Sequence, residues 1–166
     1  MKVGEYFVYL KKIIKMKVKF KRLHKDATFP KRGSELAGGW DVTATEIIKT
    51  GLDHVVCKLG FALEIPTGYK LILVPRSNLT NHYWTQLNSP GIFDADFRGE
   101  CQFRFRGLPI DFDPVKSNFF YQTFPYKEGE RIGQVYLEKV IEMEFEEVDE
   151  LDSTERGDGG FGSTGK

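Results

Sequence analysis

Apolar and polar residues alternate one by one over much of this chain, the period of a strand that is dry on one face and wet on the other. Val18 and Phe20 alternate with Lys17, Lys19 and Lys21, and Phe103 and Phe105 alternate with Gln102, Arg104 and Arg106. Residues 54–63 and 69–74 are rich in β-branched and aromatic side chains, and the Pro66-Thr67-Gly68 turn between them predicts a hairpin. Residues 132–140 read as a further strand, and Ile141, Met143 and Phe145 then alternate with Glu142, Glu144 and Glu146 as in a late strand with an acidic outer face. One short helix is expected, near 77–84. Many short strands separated by Gly and Pro turns predict an all-β sandwich or barrel.

Three stretches fall outside that pattern. Residues 1–15 read as a basic amphipathic helix, as a leader translated from an upstream start, or as an extra element packed on a domain that begins at Met16. Residues 108–127 carry Pro109, Pro114 and Pro125 and are expected to form an inserted loop or irregular hairpin. Residues 152–166 hold five glycines and a single large apolar side chain, Phe161, the composition of a flexible arm beyond a β domain spanning 16–151.

Composition narrows the function classes. The 24 Lys and Arg balance 24 Asp and Glu, so no overall field favours nucleic acid or an anionic membrane surface. Cys57 and Cys101 are the only cysteines, which fits reduced, partly buried thiols in a cytoplasmic protein rather than a disulfide framework. No apolar run reaches membrane-spanning length.

Several residues could carry chemistry, each with a plainer explanation beside it. Asp94 and Asp96 stand two apart, so on an extended chain both carboxylates share a face and could serve a metal or act as a base, or they could form an acidic turn at a strand end. Arg76-Ser77 follows an apolar strand and offers a guanidinium fork and a hydroxyl to phosphate oxygens, or a loop ion pair. Gly38-Gly39-Trp40-Asp41 could be simply a turn entering a strand. The arm combines Arg156, glycine backbone N–H groups, Phe161, Ser163 and Thr164, the cation, donors and stacking ring that a flexible clamp on a nucleotide polyphosphate needs.

Five segments in order, AGGWDVTA (37–44), PRSNLT (75–80), GIFDADFRGE (91–100), ERIGQV (130–135) and RGDGGFGSTG (156–165), resemble the five motifs of the trimeric deoxyuridine triphosphatase (dUTPase) family. That resemblance implies a jelly-roll-like subunit, a homotrimer with active sites shared between chains, and hydrolysis of dUTP to dUMP and pyrophosphate. It implies that Asp94 activates the water that attacks the α-phosphorus. An ordinary carboxylate is ionised at neutral pH and needs no tuning for that task. By the same resemblance Phe97, where the family usually has tyrosine, packs on deoxyribose, and Asn88 with Gly91 belongs to the hairpin facing uracil. Arg76, Ser77 and Gln134 are placed at the phosphates, Asp41 and Asp96 in support, and Arg156, Phe161, Gly162, Ser163 and Thr164 in an arm that closes over the nucleotide. Mg²⁺ is expected to be held mainly by the triphosphate and its waters.

Some positions depart from the family pattern: Asn78 follows Arg-Ser where a small residue is usual, Gly133 replaces alanine, and Trp84 falls near a usual glycine. The long stretch between the third and fourth motifs is similar to that of phage-encoded forms. A dCTP deaminase shares the fold and the Arg-Ser motif but usually lacks such a glycine-rich final motif. A non-catalytic module, with 108–127 as the partner surface, is the other alternative, and retention of Asp94, Arg76 and Gln134 argues against it.

Overall fold

The computed structural model describes residues 15–160. Its strands, in order, are β1 (Lys19–Arg22), β2 (Lys31–Arg32), β3 (Trp40–Thr43), β4 (Glu46–Lys49), β5 (His54–Lys58), β6 (Phe61–Glu64) and β7 (Tyr69–Pro75). A 3₁₀ turn over Ser77–Asn81 follows, then β8 (Trp84–Gln86), β9 (Gly91–Phe93), β10 (Gln102–Gly107), β11 (Pro109–Asp113), β12 (Asn118–Tyr121) and β13 (Arg131–Lys139).

A five-stranded sheet in the order β2-β3-β13-β7-β9 and a four-stranded sheet in the order β4-β5-β10-β8 supply the two faces of one core. Val42, Leu71, Leu73, Ile132 and Val135 come from the first, and Val55, Cys57, Phe103 and Phe105 from the second. Strand β10 shows why alternation works: Phe103 and Phe105 are buried while Arg104 and Arg106 between them are exposed. The fold is the all-β, jelly-roll-like sandwich that the sequence predicts. Both cysteines are free and buried, and burial pushes each thiol up to about 12, so neither is a nucleophile at neutral pH.

Three expectations change, and the irregular hairpin expected within 108–127 forms over only part of that stretch. The turn after Ile65 forms, with Tyr69 N–H donating to the Pro66 carbonyl at 3.1 Å, but it does not close a hairpin. Strand β6 pairs with β1, whereas β7 pairs with β13 and β9, so the turn carries the chain from one sheet to another. The helix near 77–84 shrinks to the 3₁₀ turn, and Trp84 opens β8, where its indole N–H donates to the Gln122 carbonyl at 2.9 Å. Residues 109–121 form a bulged hairpin, β11 with β12, whose Phe112 and Phe119 pair across the strands at 4.8 Å, but Phe124 and Tyr126 beyond it return to the core. The alternating segment after Lys139 is not a strand: Val140 N–H bonds to the Gly68 carbonyl, and residues 141–151 are exposed throughout.

Candidate active site

Register brings three expected residues into one group. Asp41 on β3 pairs with Gln134 on β13, and Gln134 pairs with Val74 on β7, two residues before Arg76. Asp41 is 7% exposed, and a carboxylate that deep needs compensating partners. Arg131 Nη1 donates to its Oδ2 at 2.8 Å, Gln134 Nε2 donates to its Oδ1 at 3.0 Å, and Arg76 Nε lies 3.9 Å from Oδ1. Arg76 also donates to the Arg131 carbonyl at 3.3 Å. One carboxylate therefore fixes two guanidiniums and an amide at a half-open surface. Gly39 gives the amide room: a Cβ there would stand 3.3 Å from the Gln134 Cβ and 3.4 Å from its Oε1.

Arg131 went unnoticed in the sequence because it precedes Gln134 by three, an odd spacing that would put the two on opposite faces of a regular strand. A register shift between Arg131 and Gly133 inserts a bulge, so Arg131 opposes Thr43 while Gln134 opposes Asp41, and both face the carboxylate. The glycine at 133 was the available signal.

A second group lies around β9. Asn88 occupies the left-handed region at φ 51°, which Asn tolerates better than other side chains, and the Ser89–Pro90 bond is cis. Gly91 is buried, and a Cβ there would lie 3.3 Å from the Leu73 Cβ. The Phe97 ring stacks on Phe93 at 5.2 Å and covers Gly99, where a Cβ would come within 2.5 Å of the ring. Phe97 remains 41% exposed, an aromatic face open to a ligand. Asp94 and Asp96 do not sit on an extended chain as the spacing suggested. Strand β9 ends at Phe93, and Phe97 N–H closes a turn onto the Asp94 carbonyl at 3.2 Å, leaving both carboxylates exposed in that turn.

Within one chain Gly91, opposite Leu73, lies beside the row of the first group, but Asp94 stands apart from it. Phe93 pairs with Leu71 but Gln134 pairs with Val74, so the end of β9 that carries Asp94 and the row that carries Gln134 lie three residues apart along β7. At ~3.4 Å per residue that is about 10 Å, before the lateral offset between strands is added. A cleft of about 230 Å³ beside Lys49, Trp84 and Phe124 holds none of the expected residues. Ser77 opens the 3₁₀ turn and is exposed. Arg156 is exposed and donates to the Gly159 carbonyl at 2.7 Å, while Phe161, Gly162, Ser163 and Thr164 lie outside the described residues, as does most of 1–15. Among the described residues no helix is long and apolar enough to cross a membrane.

The chain is similar to known proteins in both sequence and fold. The dUTPase family model matches residues 25–165. The deoxyuridine 5'-triphosphate nucleotidohydrolase of Nautilia profundicola is 40% identical over 154 residues, covering 91% of this chain and all of that protein. Its counterpart from Fusobacterium nucleatum is 39% identical over 141 residues, covering 82% and 89%. Among solved structures, the dUTPase of Staphylococcus bacteriophage 80alpha with dUPNHPP superposes with a TM-score of 0.71 at 24% identity, over 90% of this chain and 99% of that one. A mutant dUTPase from phage phi11 of S. aureus, described with a structural Mg(II) ion, superposes with a TM-score of 0.66 at 20% identity, over 83% and 100%.

Proposed function

This chain belongs to the dUTPase family, and we propose that it hydrolyses dUTP to dUMP and pyrophosphate at sites assembled from more than one copy of itself. The observation that carries the shared site is the separation along β7: Asp94 and Phe97, beyond the end of β9 that pairs with Leu71, stand apart from Asp41, Arg76 and Gln134, while Gly91 opposite Leu73 lies beside that row. A neighbouring copy brings its own phosphate group to the Asp94 turn. In the assembled site Asp94 takes the proton of the attacking water, Phe97 packs on deoxyribose, and the Asn88 hairpin faces uracil. Arg76, Ser77 and Gln134 meet the phosphates, and the arm from Arg156 through Phe161, Gly162, Ser163 and Thr164 closes over the nucleotide. Asp96 steadies the turn that carries Asp94.

Self-association has a second support in the chain's charge. Residues 15–32 hold eight Lys and Arg against Asp26 alone, whereas residues 140–152 hold seven Asp and Glu and no cation. Ile141, Met143 and Phe145 are 75–86% exposed, and among the described residues strand β1 pairs on one side only, with β6. An exposed alternating segment with an acidic face and an open strand edge lined with lysine complement each other between copies. The assembly in this reading is a homotrimer, which the family likeness supports.

Mg²⁺ is read as an ion carried by the substrate. Both oxygens of Asp41 are engaged by Arg131 and Gln134, and no group of three or more His, Cys, Asp or Glu gathers among the described residues. Bound to the triphosphate, the ion would neutralise phosphate charge, with Gln134 near its waters.

Asp94→Asn tests the reading. The amide keeps the shape but cannot accept a proton, so kcat for pyrophosphate release should fall roughly 10²–10⁴-fold while dUTP binding is retained. A near-normal kcat would remove Asp94 from the role of base.

A further inference from the structure

We infer that Gln86 is a specificity-determining residue: from behind the Asn88 hairpin it locks the Asn88–Ser89 peptide so that an N–H, not a carbonyl, faces the base. The inference rests on the dUTPase reading of that hairpin. Gln86 lies on β8 opposite Phe105 and is only 7% exposed. Its Nε2 reaches two carbonyl oxygens, Leu73 at 3.4 Å and Asn88 at 3.5 Å. The ladder between β7 and β9 stops at the Leu73–Gly91 pair, so the Gln86 amide continues the cross-link where backbone pairing has ended. Gly91 leaves space for it, since a Cβ there would lie 3.6 Å from Nε2 and 3.5 Å from the Asn88 carbonyl oxygen. Reversing the amide would set its oxygen against two carbonyls, so the donor orientation is the one the surroundings dictate.

Stability alone does not account for this side chain. Its Oε1 is buried without a hydrogen-bond partner among the described residues, and an unpaired buried carbonyl costs more than an apolar side chain of the same shape. The gain is orientational. In a planar peptide the Asn88 carbonyl and the Ser89 N–H point in opposite directions, so holding the carbonyl inward turns the N–H outward. Uracil, like thymine, presents an acceptor at O4 where cytosine presents an amino donor at N4. A fixed outward N–H bonds the first and opposes the second, whereas a peptide free to turn would accommodate either.

Gln86→Met and Gln86→Leu keep the volume and remove the donor. In the full-length protein, calorimetric titration with dUMP and dCMP should show the preference for dUMP falling about tenfold or more in both variants, with Tm equal to or above that of the parent. A preference unchanged within twofold, or failure of both variants to fold, would overturn the proposal and leave Gln86 a structural residue. Hydrolysis of dUTP by the parent, abolished in Asp94→Asn, tests the underlying reading separately. If the parent hydrolyses dUTP yet binds dUMP and dCMP alike, the inference about Gln86 fails while the activity stands.

Discussion

At the scale of single residues, Gly133 explains one of the chain's departures from its relatives. A Cβ at that position would meet the Phe103 ring at 2.3 and 2.5 Å and the Val74 carbonyl oxygen at 3.0 Å, so the phenylalanine of one sheet occupies the space that an alanine methyl would fill on the other. Gly133→Ala should therefore lower stability by roughly 1–3 kcal/mol through overpacking, read as a drop in Tm. The double variant with Phe103→Leu should recover most of the loss. A single variant as stable as the parent would mean that the ring moves aside freely. Residue-level chemistry was otherwise partly legible. Asp41, Arg76 and Gln134 were found through motifs and do stand together, but Arg131 was hidden by the bulge and Gln86 by its burial, since neither a register shift nor a buried amide leaves a periodic trace.

Among the elements, strands were easier to read than their partners. Alternation located β1 and β10, because one-sided burial is written in the residues themselves. Pairing is not: residues 54–63 and 69–74 look like hairpin arms, yet the first divides into β5 and β6, neither of which pairs with β7, and nothing local encodes that choice. The alternation at 141–146 likewise announced a strand, but the segment finds no pairing edge among the described residues. The arm after Leu151 is an element of another kind. Residues 152–158 are exposed and lend nothing to the core, so truncation after Leu151 should leave Tm nearly unchanged. In the proposed closed state, stacking of Phe161 on the base would contribute ~1–3 kcal/mol, and phosphate contacts from the arm would add to it. The truncated protein should lose at least about tenfold in kcat/KM. Full activity after truncation would show that the site closes without the arm.

For the whole molecule, neutrality at the level of the sequence conceals a division: a basic first strand and an acidic segment after the last, with the core between them. The formal charge of zero therefore says little about how copies meet. The placement of Asp94 at one end of β9, away from the row of Asp41, Gln134 and Arg76, has a consequence for mixtures. On the proposed reading, a protein lacking Asp94 would still carry an intact phosphate row, and a protein lacking Arg76 would still carry an intact base. Asp94→Asn and Arg76→Ala, each inactive by itself, should complement one another when co-refolded in equal amounts. Random assembly would place a sound Asp94 against a sound Arg76 in about one quarter of the sites. If the mixture is as inactive as its parts, every site is built within one chain; if activity returns, a gene carrying either lesion can be rescued by a gene carrying the other.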